Sequence, residues 1–326
     1  MTPRVLAALA LLLACAFAQA QPAPGLEVTV MFVGDIMLAD TPGKVIARRR
    51  DPFAHFARLL SQADIRVGNL ECSVARSGHP EPDKPYTFRA HPRTLRTLAR
   101  HFDAVSVANN HSGDFGPQAF AETLAGLERH GIGVFGGGRT LAEAHEPWIV
   151  ERRGMRIALL GYDEFFPRSF EADADRPGVA WSEDEQVVRD IRLARERHRA
   201  DIVIPFMHWG WEHEPLAASR QRHLARLMID AGADAVIGGH PHVVQDTETY
   251  RGRPIVYSLG NFVFDGFSDA QANTGWVLEL AIGRQGVTRW KAREARIDHE
   301  GVPHPSTARP TCWTAGTDRP GLCIDD

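Results

Sequence analysis

The chain has 326 residues, 44% of them apolar and 24% charged, which is enough to bury a full core as one large domain or two small ones. This composition excludes a disordered or repetitive protein. Formal charge is −4, from 37 Lys and Arg against 41 Asp and Glu, so no basic footprint exists and nucleic acid is excluded as the main partner.

In chain order, Met1-Thr-Pro-Arg4 precedes an unbroken apolar run from Val5 to Phe17 and then Ala18-Gln19-Ala20. One positive residue, a short apolar stretch and an A-x-A site read as a secretory signal peptide over residues 1–20, too short for a span of roughly 20 residues in a bilayer. The expectation is export to the periplasm or cell envelope. An alternative uses Leu12-Leu-Ala-Cys15 as a lipoprotein-type site and anchors the chain through a lipidated Cys15.

Glu27–Val33 is a β-rich run that delivers Asp35 at its end. The same grammar recurs: Ile65–Val67 leads to Asn69 and Glu71, Ala104–Ala108 to Asn109, Asn110 and His111, and Arg156–Leu160 to Asp163. Ile202–Ile204 leads to His208 and Trp209, Ala235–Ile237 to Gly238-Gly-His-Pro-His242, and Ile255–Leu259 to Gly260 and Asn261. Between these runs, Gln118–Arg129 has helical periodicity and Gly131 as a stop, and Leu216–Asp230 is closed by Gly232. A helix reaching about Arg199 starts from Ser182-Glu-Asp-Glu185, which matches a capping box. Strands alternating with such helices predict an α/β fold with helices on the sheet faces, and ligands bind there beyond the carboxyl ends of strands.

After Trp276–Ile282, Gly283–Gly286 reads as a hairpin turn into a strand over Val287–Ile297, and the composition from Asp298 is turn-like. The expected organisation is a main domain over 26–283 and a C-terminal strand and tail over 284–326, a small β/loop appendage. In an oxidising compartment Cys312 and Cys323 would close a small disulfide loop in that tail, while Cys72 reads as a small buried apolar residue.

At one end of the sheet the pattern gathers Asp35, Asn69, Glu71, Asn110, His111, His208, His240 and His242. Carboxylates, amides and imidazoles together suit one or two divalent ions, Mn, Zn or Fe, better than Ca²⁺ with its all-oxygen preference. Two ions bridged by a carboxylate bind an anion across both and supply a hydroxide at neutral pH, the chemistry of a hydrolase.

The ordered segments Gly34-Asp35-Ile-Met37, Asn69-Leu-Glu71, Ala108-Asn-Asn-His111-Ser-Gly-Asp114, His208-Trp-Gly-x-Glu212, Gly239-His-Pro-His242-x-x-Gln245 and Ser258-Leu-Gly-Asn261-Phe resemble the bacterial capsule synthesis protein CapA family, also called the poly-γ-glutamate biosynthesis family. The resemblance runs from about residue 28 to 266 and implies a metallophosphoesterase-like sandwich of mixed β-sheets flanked by helices. It implies that Asp35 and His242 serve a first metal, that Asn110, His208 and His240 serve a second, and that Glu71 bridges them, with Asn69 an additional ligand. His111 would protonate a leaving oxygen or steady the transition state. Where a D-x-H segment would supply a histidine this chain has Met37, which leaves His242 as the only imidazole expected on the first ion.

Asp114 either orients His111 or caps the helix that follows. Lys84 and Arg89, in a segment resembling a family motif, either grip a phosphate or polymer carboxylate or sit in a solvated loop. Trp209 is either a platform for substrate or part of the core, and Glu212 is expected to hold His208 by its free ring nitrogen. The functional expectation is an exported hydrolase acting on a phosphoester or an anionic polymer. The alternative is a non-catalytic polymer-binding or assembly component working with a membrane-bound polymer synthase.

Overall fold

The computed structural model describes residues 27–324, so the signal-peptide and Cys15 expectations lie outside the described residues. Two mixed sheets pack face to face and helices cover their outer sides. The ten-stranded sheet runs in the order Gly321–Leu322, Thr311–Thr314, Gly286–Ile297, Thr274–Gly283, Val28–Ile36, Ile65–Leu70, Ala104–Ser106 and Gly133–Phe135. Asn261–Val263 pairs beside Val28–Ile36, and Pro303–Pro305 beside Gly286–Ile297. The six-stranded sheet runs Thr247–Tyr250, Arg253–Val256, Val236–Gly239, Ile202–His208, Met155–Asp163 and Trp148–Arg152.

The period-two alternation of strand side chains assigns each residue to one of three apolar layers. Val30 and Phe32 point between the sheets, where they meet Ile157, Leu159, Ile204 and Phe206. Met31 and Val33 point the other way, toward Leu95 and Leu98 of the helix Thr94–Leu98 and Phe120, Leu124 and Leu127 of Gly116–Arg129. Behind the second sheet, Leu160, Val203 and Met207 pack on Val187 and Ile191 of Asp184–Glu196 and on Leu224 and Met228 of Ser219–Ala231. Burying a side chain such as Phe32 contributes about 1.5–3 kcal/mol. The strands are therefore apolar on both faces, which is why they read as short continuous runs.

Several elements differ from expectation at their ends. The strands leading to Asp35, Glu71, Asp163 and His208 run on to Ile36, Leu70, Asp163 and His208, because pairing with parallel neighbours continues through the polar residues. Val28–Ile36 shifts register between Phe32 and Asp35, at Gly34. A Cβ on Gly34 would lie 1.8 Å from the Gly260 carbonyl oxygen, so only glycine lets the Gly260-Asn261 segment pack there. The capping box does not form: the helix starts at Asp184 with no side-chain cap, and Ser182 Oγ donates to Glu164 instead. The hydroxyl donates to a distant carboxylate in place of accepting from a local backbone N–H.

Gly286–Ile297 pairs along the whole of Thr274–Gly283, as the hairpin signal implies. Trp290 of this strand and Trp313 of Thr311–Thr314 both reach the layer between the sheets. Cys312 and Cys323 form a disulfide, and Cys72 is buried and free. Among the described residues no helix is long and apolar enough to cross a membrane.

Candidate metal centre

Because the central strands of both sheets are parallel, their carboxyl ends lie on one side of the molecule. That topology brings Asp35, Asn69, Glu71, Asn110, His111, His208, His240 and His242 to one place from segments far apart in sequence. All but Asn110 are among the buried polar side chains.

Asn69 is the hub. Its amide nitrogen lies 2.8 Å from Asp35 Oδ1, 3.4 Å from Glu71 Oε2 and 3.3 Å from His208 Nδ1, and its Oδ1 accepts from Asn109 Nδ2 at 2.9 Å. Both ends of the amide are engaged with protein groups, so Asn69 organises the carboxylates, and the resemblance implies that it is an additional ligand. Asn109, which sequence reasoning passes over in favour of Asn110, holds the Leu70 carbonyl at 2.9 Å and the His111 backbone N–H through its Oδ1 at 3.1 Å. Its signal is its place between a strand and a histidine.

The Gly238–His242 turn closes tightly on Asp35. Gly239 is needed because a Cβ there would meet Asp35 Oδ1 at 2.8 Å, and the next backbone N–H, of His240, donates to Asp35 Oδ2 at 3.2 Å. His240 and His242 both have positive φ, 92° and 58°, at a cost of order 1–3 kcal/mol each that the surrounding packing offsets. His240 Nδ1 lies 3.1 Å from His208 Nε2, which itself lies 2.8 Å from Asn110 Oδ1. His242 Nδ1 lies 2.8 Å from Asn261 Oδ1 and its Nε2 lies 3.8 Å from Glu71 Oε1.

Two groups of ligand atoms lie within 4.8 Å of one another: Glu71, His240 and His242, and Asp35, Glu71 and His208. Glu71 is common to both. His240 and His242 fall together in the first group, with Asn261 turning the His242 ring so that its Nε2 faces Glu71, while His242 Nδ1 also lies 3.5 Å from Asp35 Oδ2 and His240 Nδ1 3.1 Å from His208 Nε2, the pairs of the expected split. Two buried atoms of this centre, Glu71 Oε1 and His240 Nε2, have no hydrogen-bond partner among the described residues. Orphaned buried acceptors are costly unless something else satisfies them, and a mixed carboxylate and imidazole set suits a divalent first-row ion, so these residues fit a metal. Met37 is not part of this surface: it is buried in the outer apolar layer, where its Sδ accepts from Ala39 N at 3.2 Å.

Electrostatics follow burial. Burial and the neighbouring Asp35 carboxylate push Glu71 well above the usual carboxylate range. Burial and facing imidazoles hold His208 and His240 well below the ordinary histidine value. Burial opposes the charged form of His242 too, but Asp35 and Asn261 outweigh it and raise that ring.

Beside the donors, His111 Nδ1 lies 2.8 Å from Asp114 Oδ2, and its Nε2 lies 4.0 Å from Glu71 Oε1. Asp114 therefore orients His111; it does not cap Gly116–Arg129, which has no side-chain cap. Burial lowers His111, and the Asp114 contact partly offsets that. Lys84 Nζ donates to Asp114 Oδ1 and to the Asn110 carbonyl, and the Phe88 N–H donates to Asp114 Oδ2 at 2.6 Å. Lys84 thus braces the dyad from the wall of a cavity of about 470 Å³ that opens beside Asn110 and His111.

Three residues expected at the site are elsewhere or act otherwise. Arg89 donates to the Ser77 and Gly78 carbonyls and stacks on Phe115, away from the donors. Trp209 is 1% exposed in the layer beneath the outer helices, with Nε1 donating to the Tyr257 carbonyl at 2.8 Å, so it is core and no substrate platform. Glu212 makes no hydrogen bond to His208, whose nitrogens face Asn69 and Asn110, and lines the cavity instead. Asp163 is absent from the expected site, yet it is buried, in register with His208, and lines the same cavity, and burial pushes its carboxyl up to about 7. Its signal is its position at the end of a predicted strand.

The chain is 32% identical over 280 residues to "PGA biosynthesis protein CapA" of Bacillus subtilis (strain 168), covering 84% of this chain and 72% of that protein. It is 30% identical over 247 residues to "Capsule biosynthesis protein CapA" of Bacillus anthracis, covering 73% of this chain and 60% of that protein. The solved structure of a hypothetical protein from Thermus thermophilus superposes with a TM-score of 0.49 at 18% identity, over 88% of this chain and 100% of that one. The family model described as bacterial capsule synthesis protein PGA_cap matches residues 29–266, which hold every donor at the carboxyl ends of these strands, and the chain belongs to that family.

Proposed function

We propose that this chain is a metal-dependent hydrolase of the cell envelope that acts on a phosphoester or on an amide of a glutamyl polymer during capsule or poly-γ-glutamate synthesis. The observation that carries the reading is the pair of orphaned buried atoms, Glu71 Oε1 and His240 Nε2, set beside the His111–Asp114 dyad. Asp35, Glu71, His208, His240 and His242, with Asn110, would hold one or two ions, of Mn, Zn or Fe. A bound divalent ion supplies Lewis acidity and lowers the pKa of water. The apolar-to-polar pattern of residues 1–20 supports export, and the relatives' names support work alongside a polymer synthase.

The chain's own contribution is proton handling and positioning. Asp114 accepts from His111 Nδ1–H, which leaves Nε2 without a proton in the neutral ring that burial favours, so Nε2 would take a proton from the attacking group and return it to the leaving oxygen. Lys84 holds Asp114 in place, and Phe88 packs its ring 4.5 Å from the His111 ring to exclude water from that side. Asn69 holds Asp35 and Glu71 at a fixed separation so that neither rotates toward the other's donor.

The test is metal analysis of purified protein, followed by assay on phosphomonoester, phosphodiester and poly-γ-glutamate substrates with and without Mn²⁺. The expected result is turnover of at least one, falling about 10²–10⁴-fold in His111→Ala with metal content unchanged. Retained metal and polymer binding, no turnover of any substrate, and no effect of His111→Ala would instead support a polymer-binding assembly component.

A further inference from the structure

The cavity beside His111 has walls that the proposed reaction leaves unused. Aromatic Tyr86, Phe165 and Phe166 line it together with the carboxylates of Asp83, Asp163 and Glu212. Its cations are already committed: Lys84 to Asp114, and Arg168 to Glu171 and Glu183. Asp83 and Glu212 make no hydrogen bond or ion pair with a described residue, whereas Asp163 is 5% exposed and is held by backbone N–H groups alone, its Oδ1 accepting from Phe165 N at 3.1 Å. A carboxyl group largely withdrawn from water with no cation paired to it is stabilised by a cation arriving from the cavity. Tyr86 and Phe166, 71% and 69% exposed, are large apolar rings held in water at the same cavity.

These features agree on one ligand chemistry. Carboxylates at short range and the faces of aromatic rings both attract a cation, and an acidic wall repels a stretch of polymer carboxylates. We propose that the cavity is a subsite for an ammonium-bearing part of the substrate, with Asp163 as its buried counter-ion, Glu212 as a second carboxylate and Phe166 and Tyr86 as ring faces. The proposal rests on the reading that the neighbouring donors and His111 form the reacting centre. In a glutamyl chain an ammonium exists only at the amino terminus, so the subsite selects chain ends over chain interiors.

The test is calorimetric titration of the full chain, metal-free after chelator treatment and again with Mn²⁺, using phenethylamine and its N-acetyl derivative. The amine is expected to bind at least tenfold tighter, with the preference falling below threefold in Asp163→Asn. Phe166→Ala, at an exposed position where folding is not at risk, is expected to weaken the amine at least threefold. Equal binding of the two compounds, no binding of either, or a preference that survives both substitutions would overturn the subsite. A γ-glutamyl tripeptide with a free amino end is expected to bind tighter than its N-acetylated form, and the reverse order would overturn the chain-end assignment. An amine preference in a protein that turns over no substrate would sink the hydrolase reading alone.

Discussion

The Asn69 amide nitrogen lies 2.8 Å from Asp35 Oδ1, and the same group reaches Glu71 at 3.4 Å and His208 at 3.3 Å. One neutral amide therefore sits among two carboxylates and an imidazole, all buried, and keeps them apart without adding charge. Asn69→Ala should destabilise the metal-free protein by about 1–3 kcal/mol, since it strands the donors and acceptors around it. Urea unfolding of both proteins in chelator measures this, and a difference under about 0.5 kcal/mol would remove Asn69 from the role of organiser.

Metal should stabilise the chain by mass action. At an ion concentration 100 times the dissociation constant the gain is about 2.7 kcal/mol, seen as a rise in melting temperature. Glu71→Gln should abolish most of that rise, because Glu71 is shared by both groups of ligand atoms. Melting curves with and without Mn²⁺ decide it; an unchanged metal response in the variant would place the ion elsewhere.

Asp163 gives a pH signature of known sign. Its folded pKa is raised to about 7 from an ordinary 3.8, so between those values the folded state holds a proton that the unfolded chain has lost. That contribution is fully present below about pH 4 and is lost as pH rises through 7. Relative to wild type, Asp163→Asn should therefore gain stability from pH 4 to 7, by at most about 4 kcal/mol, and level off above it. His208 works in the opposite sense. Its folded pKa is depressed, so its contribution is present above about 6.5 and is lost as pH falls. Unfolding of the metal-free proteins across this range separates the two.

Lys84 and Arg89 should part company. Lys84→Met leaves the buried Asp114 carboxylate without its cation and loosens His111, so turnover should fall at least tenfold and stability by about 1–3 kcal/mol. Arg89→Ala removes bonds to the exposed Ser77 and Gly78 carbonyls and should change turnover less than twofold. Steady-state assay of both variants checks this, with equal losses counting against the structural assignment.

Trp209→Phe offers a control for the core. It deletes the N–H that serves the Tyr257 carbonyl, at a cost of about 1–2 kcal/mol, and should leave KM for a polymer substrate unchanged. A raised KM would return Trp209 to the binding surface.

Much of this protein is legible along the chain because its parallel strands obey a local rule: an apolar run ends, and a polar residue is presented at its carboxyl end. Runs such as Ile202–Ile204 and the Gly-Asp, Asn-Leu-Glu and His-Pro-His segments after them identify the α/β class, the family and the polar residues that gather at one end of the sheets. Contacts between distant segments follow no such local rule. Ser182 turns to Glu164 instead of capping its helix, Met37 faces the outer core, Asn69 turns both ends of its amide to protein groups, and Asp163 joins the cavity wall through its register with His208. Residue types and strand order, read from sequence, determined which chemistry this chain can hold. Only the packing of the two sheets decided which buried atoms remained without partners, because that depends on which groups of remote segments meet once water is excluded.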